Sequence, residues 1–83
     1  MADTQRLHTT TVRIPDIRDA QTFCALTADY PDDVDLRQGR YVVDAKSVLG
    51  ILSLNLKEPI LLDIYGDAAP ALLEKLAKFL CNA

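Results

Sequence analysis

A chain of 83 residues with 49% hydrophobic and 25% charged residues has the size and composition of one small globular domain. Its net charge of −3 disfavours nucleic acid and anionic membranes as partners, because both carry negative charge themselves. The chain has neither an apolar run of the roughly 20 residues that cross a bilayer nor the apolar core of a secretory signal, so we expect a cytoplasmic protein.

Few residues in this chain are suited to metal, disulfide or cofactor chemistry. Cys24 and Cys81 are too few and too far apart to indicate a disulfide framework. The one histidine, His8, has no second metal ligand near it in sequence, and the three glycines form no phosphate-binding loop. We therefore expect no metal, no cofactor and no enzyme activity.

Seven segments have the periodicity of regular secondary structure. In chain order they are strand 7–14, helix 19–29, strand 34–37, strand 40–44, helix 46–54, strand 59–65 and a helix that follows Gly66. The predicted helix N-caps are Asp19, Ser47 and Asp67, and Gly39 marks the turn of a hairpin. The order β-α-β-β-α-β-α predicts a single α+β domain over residues 1–83, with one four-stranded sheet and its three helices on one face.

The short helix over residues 46–54 is apolar on more than one side. A helix that covers one sheet buries a single stripe. This helix has more apolar residues than one stripe needs, namely Val48, Leu49, Ile51, Leu52 and Leu54. Exposed apolar patches often mark docking sites, so one hypothesis is a protein-binding surface. The alternative is a fully buried helix, because periodicity does not tell which side faces water.

Ser47 stands at the start of this helix, with Lys46 beside it. A phosphate on Ser47 would meet free backbone N–H groups and the positive end of the helix dipole. Phosphorylation there would place negative charge beside the apolar patch. The other interpretation is an ordinary N-cap serine, which is a common use of this residue type.

The segment 44–54 resembles the regulatory-serine helix of the HPr phosphocarriers of the bacterial sugar phosphotransferase system. The resemblance continues through the strand that ends Ile64-Tyr65-Gly66-Asp67 and through the last helix. It implies the HPr fold, an open-faced β-sandwich whose element order is the one predicted above. It also implies a cytoplasmic bacterial protein whose partners are other proteins.

The loop after the first strand departs from the family pattern. In HPr proteins it holds the histidine that takes phosphate from Enzyme I, in a Gly-x-His-x-Arg-Pro-Ala context. Counting back from Ser47 without gaps puts Asp16 at the histidine position. Arg18, Asp19 and Ala20 then fall on the arginine, proline and alanine. By this resemblance the chain keeps the active-site arginine and lacks the histidine.

What remains resembles the regulatory half of HPr. The resemblance implies that HPr kinase phosphorylates Ser47 and that the phosphorylated form binds a transcriptional regulator in carbon catabolite control. It also implies a set of partner-binding residues, which are Arg18, Lys46, Val48, Leu49 and Leu52. We expect a monomer.

Two alternatives stay open at this point. One is a phosphocarrier of the phosphotransferase system with Asp16 as a non-standard acceptor, although an aspartyl phosphate usually needs a metal held by further carboxylates. The other is a diverged adaptor of HPr fold with no role in sugar uptake.

Overall fold

The computed structural model describes residues 6–81, which form a four-stranded antiparallel sheet and three α-helices. The elements in chain order are β1 Leu7–Val12, α1 Ile17–Thr27, β2 Val34–Gln38, β3 Tyr41–Asp44, α2 Val48–Leu52, β4 Ile60–Tyr65 and α3 Ala69–Lys75. A 3₁₀ turn, Ala77–Phe79, follows α3. Within this part of the chain, every helix is too short or too polar to cross a membrane. The predicted order of elements is confirmed.

The strands lie in the order β1-β4-β2-β3, and each neighbouring pair is antiparallel. In the register, Val12 faces Ile60 across β1 and β4, and Leu36 faces Leu62 across β2 and β4. The last strand in sequence therefore lies in the interior of the sheet. Strands β1 and β3 form its two edges.

All three helices pack on one face of the sheet, as predicted. Because strand side chains alternate between faces, every second residue points toward the helices. The fully buried strand residues are Val12, Val34, Leu36, Ile60, Leu62 and Ile64. They join Ala20 and Phe23 of α1, Ile51 of α2, and Leu72 of α3 in one core. No helix of residues 6–81 covers the opposite face, which we call the open face.

The hairpin between β2 and β3 turns at Gly39, as predicted. Gln38 and Tyr41 face each other across a two-residue turn, and Gly39 has a φ of +60°. Two-residue hairpin turns need positive φ, which glycine adopts without steric cost.

Helix α1 begins two residues earlier than predicted, because Asp16 and not Asp19 is its N-cap. Asp16 has extended backbone geometry, and its Oδ1 accepts a hydrogen bond from the Asp19 N–H at 3.0 Å. The helix also ends earlier, at Thr27, whose buried hydroxyl donates to the Cys24 carbonyl. The predicted span of 19–29 was therefore shifted by two residues at each end.

Helix α2 is shorter than the predicted 46–54, and its predicted N-cap is confirmed. Ser47 Oγ accepts a hydrogen bond from the Gly50 N–H at 3.1 Å. The prediction for α3 was wrong at its start. Asp67 lies in a turn before the helix, and the N-cap is Ala68, which has no side-chain bond to offer. The Asp67 carboxylate instead lies 3.7 Å from Arg6 Nε on the surface.

Candidate functional site

The start of α1 presents three consecutive exposed residues, Asp16, Ile17 and Arg18. The Asp16 carboxylate caps the helix, and the hydrogen bond from the Asp19 backbone N–H lowers the pKa of Asp16. The nearby Arg18 guanidinium acts in the same direction. Asp16 is thus an ionised helix cap at neutral pH, at the position where the family resemblance put a phosphate acceptor.

The start of α2 joins a capping serine to an exposed leucine. Ser47 is half-buried, while Leu49 is 81% exposed, more than any other large apolar side chain between residues 6 and 81. Ile51 on the other side of the same short helix is fully buried. Val48 and Leu52 are half-buried, and Leu52 packs against the core. Leu49 is therefore the part of the predicted docking patch that faces water most fully.

Lys46 is occupied inside the domain. Its Nζ donates to the carbonyl oxygens of Tyr30 at 2.6 Å and Asp32 at 3.1 Å. These two bonds fasten the loop after α1 to the turn before α2. They occupy two of the three N–H donors of this ammonium group.

Two hydrogen bonds attach the start of α2 to the last turns of α1. Cys24 Sγ donates to the Lys46 carbonyl at 2.8 Å. The Thr27 hydroxyl shares its one proton between the Cys24 carbonyl at 3.0 Å and the Ala45 carbonyl at 3.3 Å. Asp16 and Cys24 are eight residues apart, which is about 12 Å along a helix axis. These contacts therefore join the start of α2 to the far end of α1, away from the predicted pair Asp16 and Arg18.

Ile17 was not predicted as a surface residue. It is 59% exposed, and it lies in the first turn of α1 next to Asp16. Because the predicted helix starts at residue 19, Ile17 falls in the loop before it in that prediction. A cap at Asp16 would have identified Ile17 as an apolar residue of the first turn.

A second polar group, on the open face, was also missed. Asp63 is only 4% exposed, and it accepts hydrogen bonds from Thr9 Oγ1 at 2.8 Å and from the Arg37 guanidinium. Burial raises the pKa of Asp63, but the bonds from Arg37 and Thr9 outweigh burial and lower it. Asp63 of β4 is thus ion-paired with Arg37 of β2 and hydrogen-bonded to Thr9 of β1, so its carboxylate connects three strands.

A cavity of about 180 Å³ lies between the end of α1 and α3. Its lining residues are Leu26, Asp29, Tyr30, Pro31, Ala68, Ala71, Leu72 and Lys75. None of the predicted site residues lines it. Within residues 6–81, no group of three or more His, Cys, Asp or Glu side chains is placed to hold a metal ion.

The sequence from residue 15 to residue 82 matches the family model PTS-HPr, described as the PTS HPr component phosphorylation site. The chain belongs to the HPr phosphocarrier family of the phosphotransferase system. The resemblance found at residues 44–54 is thereby confirmed at the level of the family. The matched span contains both helix starts described above, those of α1 and α2.

A solved structure supports the HPr fold. The phosphocarrier protein HPr from Bacillus anthracis str. Ames aligns with a TM-score of 0.71 and 23% sequence identity, over 95% of this chain and 100% of that chain. At this identity the alignment shows that the two share a fold. No curated protein matches the chain.

Proposed function

We propose that this HPr family member is a protein-binding regulatory domain, switched by phosphorylation of Ser47, that does not carry phosphate on a histidine. The observation that carries the proposal is the placement of Ser47 two residues before Leu49. The serine caps α2, and the leucine side chain is 81% exposed. A modifiable hydroxyl and an apolar anchor thus share one short helix.

The local contacts indicate how a phosphate on Ser47 would act. Its oxygens can accept the Gly50 N–H that Ser47 Oγ now holds, at the positive end of α2. Two of the three donors of the Lys46 ammonium are held by the Tyr30 and Asp32 carbonyls, so at most one is left for the added phosphate. The partner should therefore offer an Arg or Lys side chain next to an apolar pocket that receives Leu49.

The contacts of Asp16 support a role without phosphate transfer through this residue. Its carboxylate is engaged as the N-cap of α1, and its lowered pKa reflects that bond. An aspartyl phosphate also usually depends on a metal held by neighbouring carboxylates. Asp19, the nearest carboxylate in sequence, contributes its backbone N–H to the cap.

The family suggests the remaining parts of this role. HPr kinase would modify Ser47, and a transcriptional regulator of carbon catabolite control would bind the product in the cytoplasm. The half-buried Val48 and Leu52 would extend the contact around Leu49, and Arg18 would contact the partner separately, at the start of α1. HPr-type proteins are not enzymes themselves, and in this role Ser47 is a substrate of the kinase while the chain catalyses no reaction.

The test is an intact-mass measurement of the purified full chain after incubation with HPr kinase and ATP. We expect one added phosphate in the native protein and none in Ser47→Ala. The matched control is Ser53→Ala at the other end of α2, where Ser53 Oγ donates to the Gly50 carbonyl. That variant should gain one phosphate like the native protein.

Two outcomes would contradict the proposal. An unchanged mass, with a known HPr phosphorylated in the same tube, would remove the switch and leave a diverged adaptor of HPr fold. A phosphate that Ser47→Ala still acquires would place the modification at another residue.

A further inference from the structure

Strand β3 is an open edge of the sheet. Within residues 6–81 it pairs only with β2, whereas the other edge strand, β1, is partly covered by the segment after α3. There the Cys81 N–H donates to the Thr11 carbonyl at 2.9 Å. On β3, Tyr41 is 64% and Val42 is 60% exposed. Edge strands that carry exposed apolar residues and neither proline nor lysine are templates for pairing with another strand.

The register between β2 and β3 shows which backbone groups of β3 face outward. The Ala45 N–H donates to the Val34 carbonyl at 2.9 Å, so position 45 bonds to β2. In an antiparallel ladder the bonded positions alternate, which assigns Val43 and Tyr41 to β2 as well. The N–H and C=O of Val42 therefore point away from the sheet. The Asp44 N–H shares this direction, while the Asp44 carbonyl already accepts the Ser47 N–H at 3.0 Å.

Only registers that place outward-facing positions opposite each other can pair two β3 edges. A two-fold axis at Val42 satisfies this condition, because it sets Val42 against Val42 of a second copy. The same axis places Arg40 of each copy opposite Asp44 of the other copy, which gives two such pairs. Both residues are exposed, and they carry opposite charges. The edge is thus complementary to itself, as a two-fold interface must be.

The side chains on the helix side fit the same register. Tyr41 would stand opposite Val43 of the second copy, at the closely spaced non-bonded positions where cross-strand side chains meet. Aromatic and β-branched residues form favourable pairs there. The Asp44 carboxylate uses Oδ1 to accept the Lys46 N–H at 2.8 Å, which leaves Oδ2 for Arg40.

We propose that two copies of this chain associate antiparallel through their β3 edges, joining two four-stranded sheets into one of eight strands. The contact is short, since β3 has four residues, so the dimer is weak and forms as the concentration rises. The charge pattern selects a second copy over an extended segment of another protein. This association is independent of Ser47 phosphorylation.

The first test is sedimentation equilibrium of the full chain from about 10 μM to about 1 mM, the range in which small interfaces associate. We expect the average mass to rise from monomer toward dimer. Val42→Pro should remove the dimer, because it deletes the outward N–H and leaves the bonds to β2 intact. Val42→Thr keeps that N–H and should keep the dimer.

A charge exchange tests the register. Arg40→Asp alone sets carboxylate against carboxylate, and Asp44→Arg alone sets guanidinium against guanidinium. Each variant should dimerise at least tenfold more weakly than the native chain. An equimolar mixture of the two restores both opposite-charge pairs and should dimerise again. This rescue separates pairing from any folding effect of losing the Asp44 bond to Lys46.

Three results would overturn the proposal. The first is a native chain that stays monomeric over the whole concentration range, which would mean that the β3 edge pairs with another protein or stays solvated. The second is a dimer that Val42→Pro does not weaken. The third is a mixture of Arg40→Asp and Asp44→Arg that associates no better than either variant alone.

Discussion

Ser47 serves the native fold before any modification, because its Oγ caps the five-residue helix α2. Loss of a serine N-cap costs about 1 kcal/mol. We therefore expect Ser47→Ala to lower the free energy of unfolding in urea by about that amount. Aspartate is also a good N-cap, so Ser47→Asp should stay within about 0.5 kcal/mol of the native protein. Equal losses in both variants would contradict the capping role.

Leu49 contributes little to stability and much to the proposed docking. With 81% of its side chain exposed, Leu49→Glu should leave the urea midpoint unchanged within error. The same change should weaken binding of the Ser47-phosphorylated protein to a catabolite-control regulator at least tenfold, measured by calorimetry. Leu61→Glu, on the open face, is the matched control. If both variants bind alike, Leu49 is not the anchor.

The open face also carries a pH-dependent repulsion. Asp35 stands opposite Asp44 on one side and Asp63 on the other. Burial, together with the charges of Asp33, Asp44 and Asp63, raises the pKa of Asp35. The Asp35 carboxyl therefore stays protonated to a higher pH in the folded state than in the unfolded chain. The free energy of unfolding falls as the pH rises from the unfolded pKa of Asp35 through its raised folded pKa.

Asp35→Asn should accordingly stabilise the domain at neutral pH. Like charges on directly opposite strand positions are destabilising by about 0.2–1 kcal/mol, and the substitution removes two such contacts. The gain should shrink as pH is lowered through the raised pKa of Asp35, because the native carboxyl then becomes neutral too. Asp29→Asn, at an exposed loop, is the control without gain. A stabilisation that did not change with pH would rule out this cause.

At the scale of elements, the sequence was informative about which elements exist and less so about where they start. Asp16 and Asp19 are equally suitable caps by residue type, and only the folded chain shows that Asp16 accepts the bond. Asp67 looked like a cap because it precedes an apolar stripe. The turn closed by the Ala69 N–H and the Gly66 carbonyl puts Asp67 outside the helix.

The turn between β4 and α3 depends on Gly66. Its φ is +99°, and a Cβ built on it would overlap the Asp32 carboxylate. We expect Gly66→Ala to lower the free energy of unfolding by about 2 kcal/mol or more, through strain and this clash. Gly39→Ala introduces backbone strain without a clash, because nothing lies within 4 Å of its added Cβ. It should lower the free energy of unfolding by about 1 kcal/mol. Equal costs in urea titrations would contradict the close contact with Asp32.

At the scale of the whole molecule, the fold was predictable because strand and helix periods alternate clearly and Gly39 fixes one hairpin. The polar group around Asp63 was not predictable, since Thr9, Arg37 and Asp63 are far apart in sequence and meet only across paired strands. The sequence also did not tell which side of α2 faces water, for a similar reason. Packing decided that Ile51 is buried and Leu49 exposed.

The quaternary state illustrates the same limit. A monomer was expected from the sequence, yet the proposed dimer depends on β3 being an edge strand and on the outward direction of Val42. Neither property can be obtained without the strand order. Only the proposed register between two β3 strands shows that Arg40 would stand opposite Asp44 of a second copy.

The proposed regulatory role requires that Asp16 of this HPr family member accepts no phosphate. The most direct measurement is the intact mass of the full chain after incubation with phosphorylated Enzyme I at neutral pH. We predict an unchanged mass, while an HPr with its histidine gains one phosphate in the same tube. A phosphate gained by the native chain and absent from Asp16→Asn would show that Asp16 is a phosphate acceptor. That result would contradict the proposed role.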